Sequence, residues 1–173
     1  QPVSMQNLRE VKAVAEKYGK RVIFDSARFV ENAYFIKTRE AGYADKTIKE
    51  IVKEMYQYAD GMTMSAKKDG IVNMGGFIAT HHEDWFEGAK RFCIPFEGFL
   101  TYGGMNGRDM DALAVGLDEN TELDNIETRI KQVQYLAAKL DEYGIPYQRP
   151  VGGHAIFVDA DRVLTNVPKE EFP

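Results

Sequence analysis

The sequence predicts an α/β domain, and three observations carry that prediction. Leu8, Val11, Val14, Ala15 and Tyr18 recur at helical spacing behind Ser4, a hydroxyl residue suited to cap a helix, and Gly19 stops the run. Arg21-Val22-Ile23-Phe24-Asp25 then reads as a short buried strand, too continuously apolar to face solvent. Polar residues gather at that strand's carboxyl end, and in open α/β sheets this edge is where ligands sit.

The remaining elements follow in order. From Phe29 to Ile36 the chain is apolar and aromatic but carries Glu31 and Asn32, which predicts an irregular, partly buried segment. Thr47-Ile48-Lys49-Glu50 matches a capping box, with Ile51, Val52, Met55 and Tyr56 as the buried face of a helix ending near Tyr58. Gly61 to Met64 and Gly76 to Thr80 read as strands, separated by a turn from Ser65 to Gly75. His81 to Phe92 reads as a helix carrying the single tryptophan, Trp85. Ile94 to Gly107, rich in Gly, Pro and aromatics, is expected to be a functional loop or a crossover.

Leu123, Ile126, Ile130, Val133, Ala137 and Leu140 step by three and four, the pattern of one long amphipathic helix. Gly144 is placed to take the left-handed position that ends it. Tyr147 onward and Ala155 to Val158 read as strands of a smaller layer. There is no internal repeat and no low-complexity tract.

Composition bounds the function. A chain of 173 residues with 44% hydrophobic and 28% charged residues has the composition of an ordinary globular domain. Its formal net charge of -5 leaves no basic surplus to neutralise phosphates, which argues against nucleic acid as the main partner. No apolar run reaches the length of a membrane span, so no membrane partner is expected. Cys93 stands alone, without a disulfide partner or metal-ligand spacing, and reads as a core thiol in a cytosolic protein. Gln1-Pro2-Val3-Ser4 leads straight into a helix start, and the last residues look like the opening of another element. The sequence therefore reads as an internal segment of a longer protein.

One stretch concentrates chemistry: Thr63-Met64-Ser65-Ala66-Lys67-Lys68-Asp69-Gly70. Two adjacent ammonium groups repel, so one loses its proton more easily than a free lysine, and a neutral amine is what carbonyl chemistry requires of a Schiff-base lysine. Lys68 is the candidate; a solvated turn lysine is the plain alternative.

Together with Phe24-Asp25-Ser26-Ala27-Arg28-Phe29, Glu31-Asn32-Ala33-Tyr34-Phe35-Ile36-Lys37 and Ser65-Ala66-Lys67-Lys68-Asp69, the chain resembles the β-eliminating lyases, pyridoxal-phosphate enzymes. Glu97-Gly98-Phe99, Thr101-Tyr102-Gly103-Gly104 and Val151-Gly152-Gly153-His154-Ala155 extend the likeness over essentially the whole chain. The resemblance implies the central part of a fold-type-I large domain, a mostly parallel sheet flanked by helices. That domain would occupy residues 1–105, with connecting helices over 106–144 and the start of a small α+β domain over 145–173.

It also implies roles. Lys68 matches the lysine that holds the cofactor as a Schiff base and later carries the substrate's α-proton. Asp25 matches the carboxylate that pairs with the pyridine nitrogen; without the resemblance it reads as a strand-end acid capping the next turn. Arg28 matches the contact to the cofactor's phenolic oxygen, against an ordinary salt bridge. Ser65 resembles a phosphate ligand, against a turn serine, and Lys67 a cation beside the phosphate. Asn73 matches a position whose backbone carbonyl helps hold a monovalent cation, normally potassium. Tyr102 is as consistent with packing as with a place near the site, and His154 reads as structural.

The implied reaction is α,β-elimination of an aromatic L-amino acid by a homo-oligomer, a tetramer. Asp25 to Phe29 and Glu97 to Tyr102 look more like tryptophanase, whereas Gly107-Arg108-Asp109-Met110 looks more like tyrosine phenol-lyase; the balance falls to tryptophan. A folded but inactive module is a second reading. A Rossmann-type nucleotide binder is disfavoured because no Gly-x-Gly-x-x-Gly follows either strand.

Overall fold

The computed structural model describes residues 2–171. Residues 2–125 form one compact unit and 126–171 a second. The first opens with helix α1 (Met5–Lys17), capped by the Ser4 hydroxyl, which accepts the Asn7 amide at 3.0 Å. Strand β1 (Ile23–Asp25), helices α2 (Phe29–Arg39) and α3 (Ile48–Tyr56), and strands β2 (Gly61–Ser65) and β3 (Gly76–Thr80) follow. Helices α4 (Glu83–Phe96) and α5 (Gly107–Glu119) complete the unit, with α6 (Leu123–Glu142) beginning at its end.

The three strands lie in the order β1-β2-β3. β1 and β2 are parallel, pairing Ile23 with Gly61 and Asp25 with Thr63. β3 returns antiparallel to β2, pairing Thr63 with Ile78 and Ser65 with Gly76. The sheet is thus small and mixed rather than mostly parallel. The short Ser65 to Gly75 turn makes a hairpin of β2 and β3, which a parallel crossover could not be in so few residues.

One face of the sheet is covered. Phe24 packs its ring 5.9 Å from Tyr56, and Val30, Ala33, Ile36, Ile48, Ile51 and Met55 of α2 and α3 are buried. Each such side chain contributes about 1.5–3 kcal/mol by leaving water. α3 carries the capping box read from sequence: Thr47 accepts the Glu50 amide while Glu50 accepts the Thr47 amide at 2.7 Å. The other face carries Trp85 of α4 beside Gly61 at its amino end and is open towards its carboxyl edge. Ile23 is 57% exposed and Ile78 63% exposed, so β1 is not the fully buried strand its apolar run suggests. The apolar stripe of α1 is likewise only partly covered: Leu8 is buried while Val11, Val14 and Tyr18 are exposed.

The segment expected to be irregular, Phe29 to Ile36, is helix α2, buried on almost every side. Apolar residues all round it erase the one-sided stripe by which a helix is recognised. α4 extends past the expected Phe92 to Phe96 and contains Pro95. Part of the expected 94–107 loop is therefore helical, and Cys93 within α4 is only half-buried.

In the second unit, Ile126, Ile130 and Ala137 form the buried side of α6. Gly144, with φ +67°, ends that helix as expected. The strands expected from Tyr147 and over 155–158 reduce to a single bridge between Tyr147 and Val158. Two short elements follow, helix α7 (Ala160–Val163) and a 3-10 turn (Lys169–Glu171).

Candidate active site

The carboxyl edge of the parallel pair gathers the polar residues singled out from sequence. Asp25 and Thr63 are paired neighbours, so their side chains leave the same face, and Ser65, two residues beyond Thr63, follows them. Neighbouring strands stand about 4.8 Å apart, which puts the Asp25 carboxylate one strand away from the Thr63–Ser65 row. That face is the open one: Asp25 and Thr63 are exposed and Ser65 is half-buried. Lys68 lies past the strand's end, and its Nζ donates to Ser65 Oγ at 2.8 Å. The amine is thereby drawn to the row that Asp25 shares.

Backbone contacts fix the turn that carries Lys68. The Ala66 amide donates to Gly75 O at 3.0 Å and closes the loop on itself. The Asp69 amide donates to Ala27 O at 3.2 Å, so the segment bearing Lys68 lies beside the one bearing Arg28. Asp69 is fully buried, and its Oδ2 accepts the amides of Val30 at 2.7 Å and Glu31 at 3.2 Å. From α5, Asn120 Nδ2 donates to Asp69 O at 2.9 Å.

Two glycines let α5 approach this turn closely. A Cβ on Gly116 would stand 2.0 Å from Gly70 O, and one on Gly70 would stand 2.4 Å from Ala66 O and 2.7 Å from Leu113 Cδ1. Ile71 follows with φ 52°, a left-handed conformation that a β-branched residue adopts only under constraint.

The cations at this edge stand without carboxylate partners. Among the described residues, Arg28, Lys67 and Lys68 form no ion pair, whereas Lys12, Lys46 and Lys49 each meet a carboxylate. The salt-bridge alternative for Arg28 is therefore not realised. Asp25 does cap the next turn, its Oδ1 accepting the Ala27 amide at 3.1 Å, while the residue stays exposed. Lys67 is exposed, as is Asn73 in the segment between Gly70 and β3. No group of three His, Cys, Asp or Glu residues suited to a metal occurs among the described residues.

Of the other residues read from sequence, Tyr102 is 77% exposed, its ring 5.5 Å from Phe99. His154 is exposed. Asp69, Asn120, Gly70 and Gly116 were given no role by the sequence. The partners of Asp69 lie 38 and 39 residues away and leave no local signature.

A profile described as β-eliminating lyase matches residues 1–167. The chain belongs to the β-eliminating lyase family. Among similar relatives, a probable β-eliminating lyase of Trichomonas vaginalis is 73% identical over all 173 residues. A tyrosine phenol-lyase of Fusobacterium nucleatum is 54% identical over the same length, and a tryptophanase of Salinibacter ruber 49%. In each case the whole of this chain is covered, together with 38%, 38% and 37% of the relative's own length. The chain thus spans well under half of the β-eliminating lyases it matches. No described helix is long and apolar enough to cross a membrane.

The residues present suit the cofactor that β-eliminating lyases use. Cations without carboxylate partners and a short hydroxyl suit a phosphate dianion, and an exposed carboxylate one strand away suits a protonated ring nitrogen.

Proposed function

We propose that the intact protein catalyses α,β-elimination of an aromatic L-amino acid, consuming one water and releasing the free aromatic compound, pyruvate and ammonia, with pyridoxal 5'-phosphate held at the carboxyl edge of β1 and β2. The observation that carries this reading is the Lys68 amine on Ser65, on the sheet face that Asp25 shares. Pyridoxal phosphate, when bound, supplies an electron-poor ring that absorbs the charge left at the substrate's α-carbon.

Lys68 would hold the cofactor through its amine and would carry the proton of the substrate's α-carbon. Asp25 accepts the ring nitrogen's proton as a hydrogen bond and keeps it in place. Arg28 donates to the phenolic oxygen. Ser65 and Lys67 hold the phosphate. The backbone carbonyl of Asn73 is a ligand for a monovalent cation, potassium.

The leaving group has two supports that pull apart. Tyrosine phenol-lyases of 52–54% identity stand beside a tryptophanase of 49%, which favours tyrosine and phenol. The Asp25 to Phe29 and Glu97 to Tyr102 runs favour tryptophan and indole, the second reading. Exposed Ile23, Ile78, Phe92 and Phe96 support further protein packing on this chain, in keeping with a homotetramer of a cytoplasmic enzyme. Residues 1–105 are then part of the cofactor-binding large domain, 106–144 its connection, and 145–173 the start of the small domain.

Supplying the intact, cofactor-loaded protein with tyrosine and with tryptophan tests the proposal. Phenol release faster than indole release is expected. Indole alone would move the assignment to tryptophan, and release of no aromatic product from either amino acid would refute the elimination.

A further inference from the structure

We infer that Asp69 is a positioning residue for Lys68: its buried carboxylate pins the lysine turn to the first turn of α2 and so sets where the amine stands relative to Asp25 and Arg28. The inference rests on Lys68 being the amine that carries the cofactor.

Helix α2 lacks a cap of its own. Its N-cap residue is Arg28, whose side chain has no acceptor and makes no capping bond. The free amides of a helix's first turn need acceptors, the more so when the helix is buried. Asp69 supplies one oxygen to both, at 2.7 Å to Val30 and 3.2 Å to Glu31, and its own amide donates to Ala27 O. Three bonds therefore run between Asp69 and residues 27–31.

A fully buried carboxylate is costly unless hydrogen-bonded, so the turn has little freedom to withdraw from these amides. On its far side Asn120 holds the Asp69 carbonyl, and Gly70 and Gly116 bring α5 into backbone contact. The constrained Ile71 lies two residues on, where the chain leaves the clamp. Lys68 is one residue from the clamped carboxylate, and Asp25 and Arg28 lie within three residues of the carbonyl and amides it grips.

The acceptor oxygen is the working part, which separates D69N from D69A. Asparagine keeps an oxygen that can accept both amides; alanine does not. In the intact protein, D69A is expected to lose kcat by about 100-fold, the scale of a displacement near 1 Å, with KM within about threefold of the wild type. D69N is expected to retain kcat within about threefold. Amide hydrogen exchange supplies a readout independent of activity: Val30 and Glu31 are slow in the wild type and in D69N and fast in D69A. Borohydride fixation of cofactor on Lys68 falls in D69A alone.

Unchanged kcat and fixation in D69A overturn the inference, as does a D69N protein damaged as badly as D69A. Should D69A not fold, the wild type and D69N decide it, since rapid exchange at Val30 and Glu31 in either overturns the clamp. If the wild type itself fixes no cofactor on Lys68, the functional reading falls and takes this inference with it.

Discussion

The two edges of the sheet treat charge in opposite ways. At the amino edge, Asp60 accepts Lys12 Nζ at 2.8 Å and the Val22 amide at 2.8 Å, and lies 3.2 Å from His82 Nε2. The Lys12 bond first, then the Val22 amide, hold its carboxyl well below the usual carboxylate range. Arg21 meets Asp84 at 2.7 Å and lies over the Trp85 ring. At the carboxyl edge Arg28, Lys67 and Lys68 form no ion pair among the described residues, and the fully buried Asp69 accepts the backbone amides of Val30 and Glu31. Charge at the first edge fastens α1, β1 and α4 to the sheet. The cations at the second make no ion pair among the described residues, and the backbone there is fixed by Asp69 and by main-chain bonds.

That contrast can be broken most severely at Lys68. K68A is expected to lower kcat/KM of the intact protein by on the order of 10³-fold or more, the scale of losing a positioned proton-transfer group. Its unfolding free energy should stay within about 0.5 kcal/mol, as for a residue without packing duties. A large loss of stability instead would make Lys68 a structural residue.

G116A acts on the scaffold behind the same edge. The added methyl would overlap Gly70 O, and chemical denaturation should show a loss of about 3 kcal/mol, at the upper end of overpacking costs. A neutral result would mean that α5 is not seated on the lysine turn.

R28A and R21A sharpen the comparison as a pair. Removing Arg28 should weaken cofactor affinity about 10- to 100-fold, measured by equilibrium dialysis, the worth of one hydrogen bond to a charged group. Removing Arg21 should leave that affinity unchanged and cost under about 1 kcal/mol of stability.

The smallest effect belongs to Glu54, a paired acid away from the site. Burial pushes Glu54 up, but bonds from Lys46, Tyr43 and Arg9 outweigh it and hold it at about 2. A carboxylate depressed on folding adds stability that is present above its unfolded pKa of about 4.3 and is lost as pH falls towards the folded value. E54Q should therefore flatten the decline in stability between about pH 5 and pH 2 in urea titrations, leaving cofactor binding untouched.

Sequence pattern reached some of this and not the rest, for definite reasons. Ser4 and Thr47 announced α1 and α3 because their caps are local, three residues from the amides they satisfy. α2 was hidden because its cap comes from Asp69 and its apolar residues surround it. The polar residues after β1 and β2 were legible as strand-end side chains, and the register of the parallel pair gives them a common face. The antiparallel return of β3 and the glycine contacts between α5 and the turn are long-range facts without a local pattern. The strands expected from Tyr147 and over 155–158 do not form a ladder: Tyr147 and Val158 pair in an isolated bridge, with Pro150 and Gly152-Gly153 between them.

The central claim is that one amine, drawn onto Ser65, is where the cofactor attaches. Reducing the cofactor-loaded intact protein with borohydride, digesting it and sequencing the labelled peptide by mass spectrometry reads that amine directly. The account predicts the pyridoxyl adduct on Lys68. An adduct on Lys67 or on a lysine elsewhere, or no adduct at all, would contradict it.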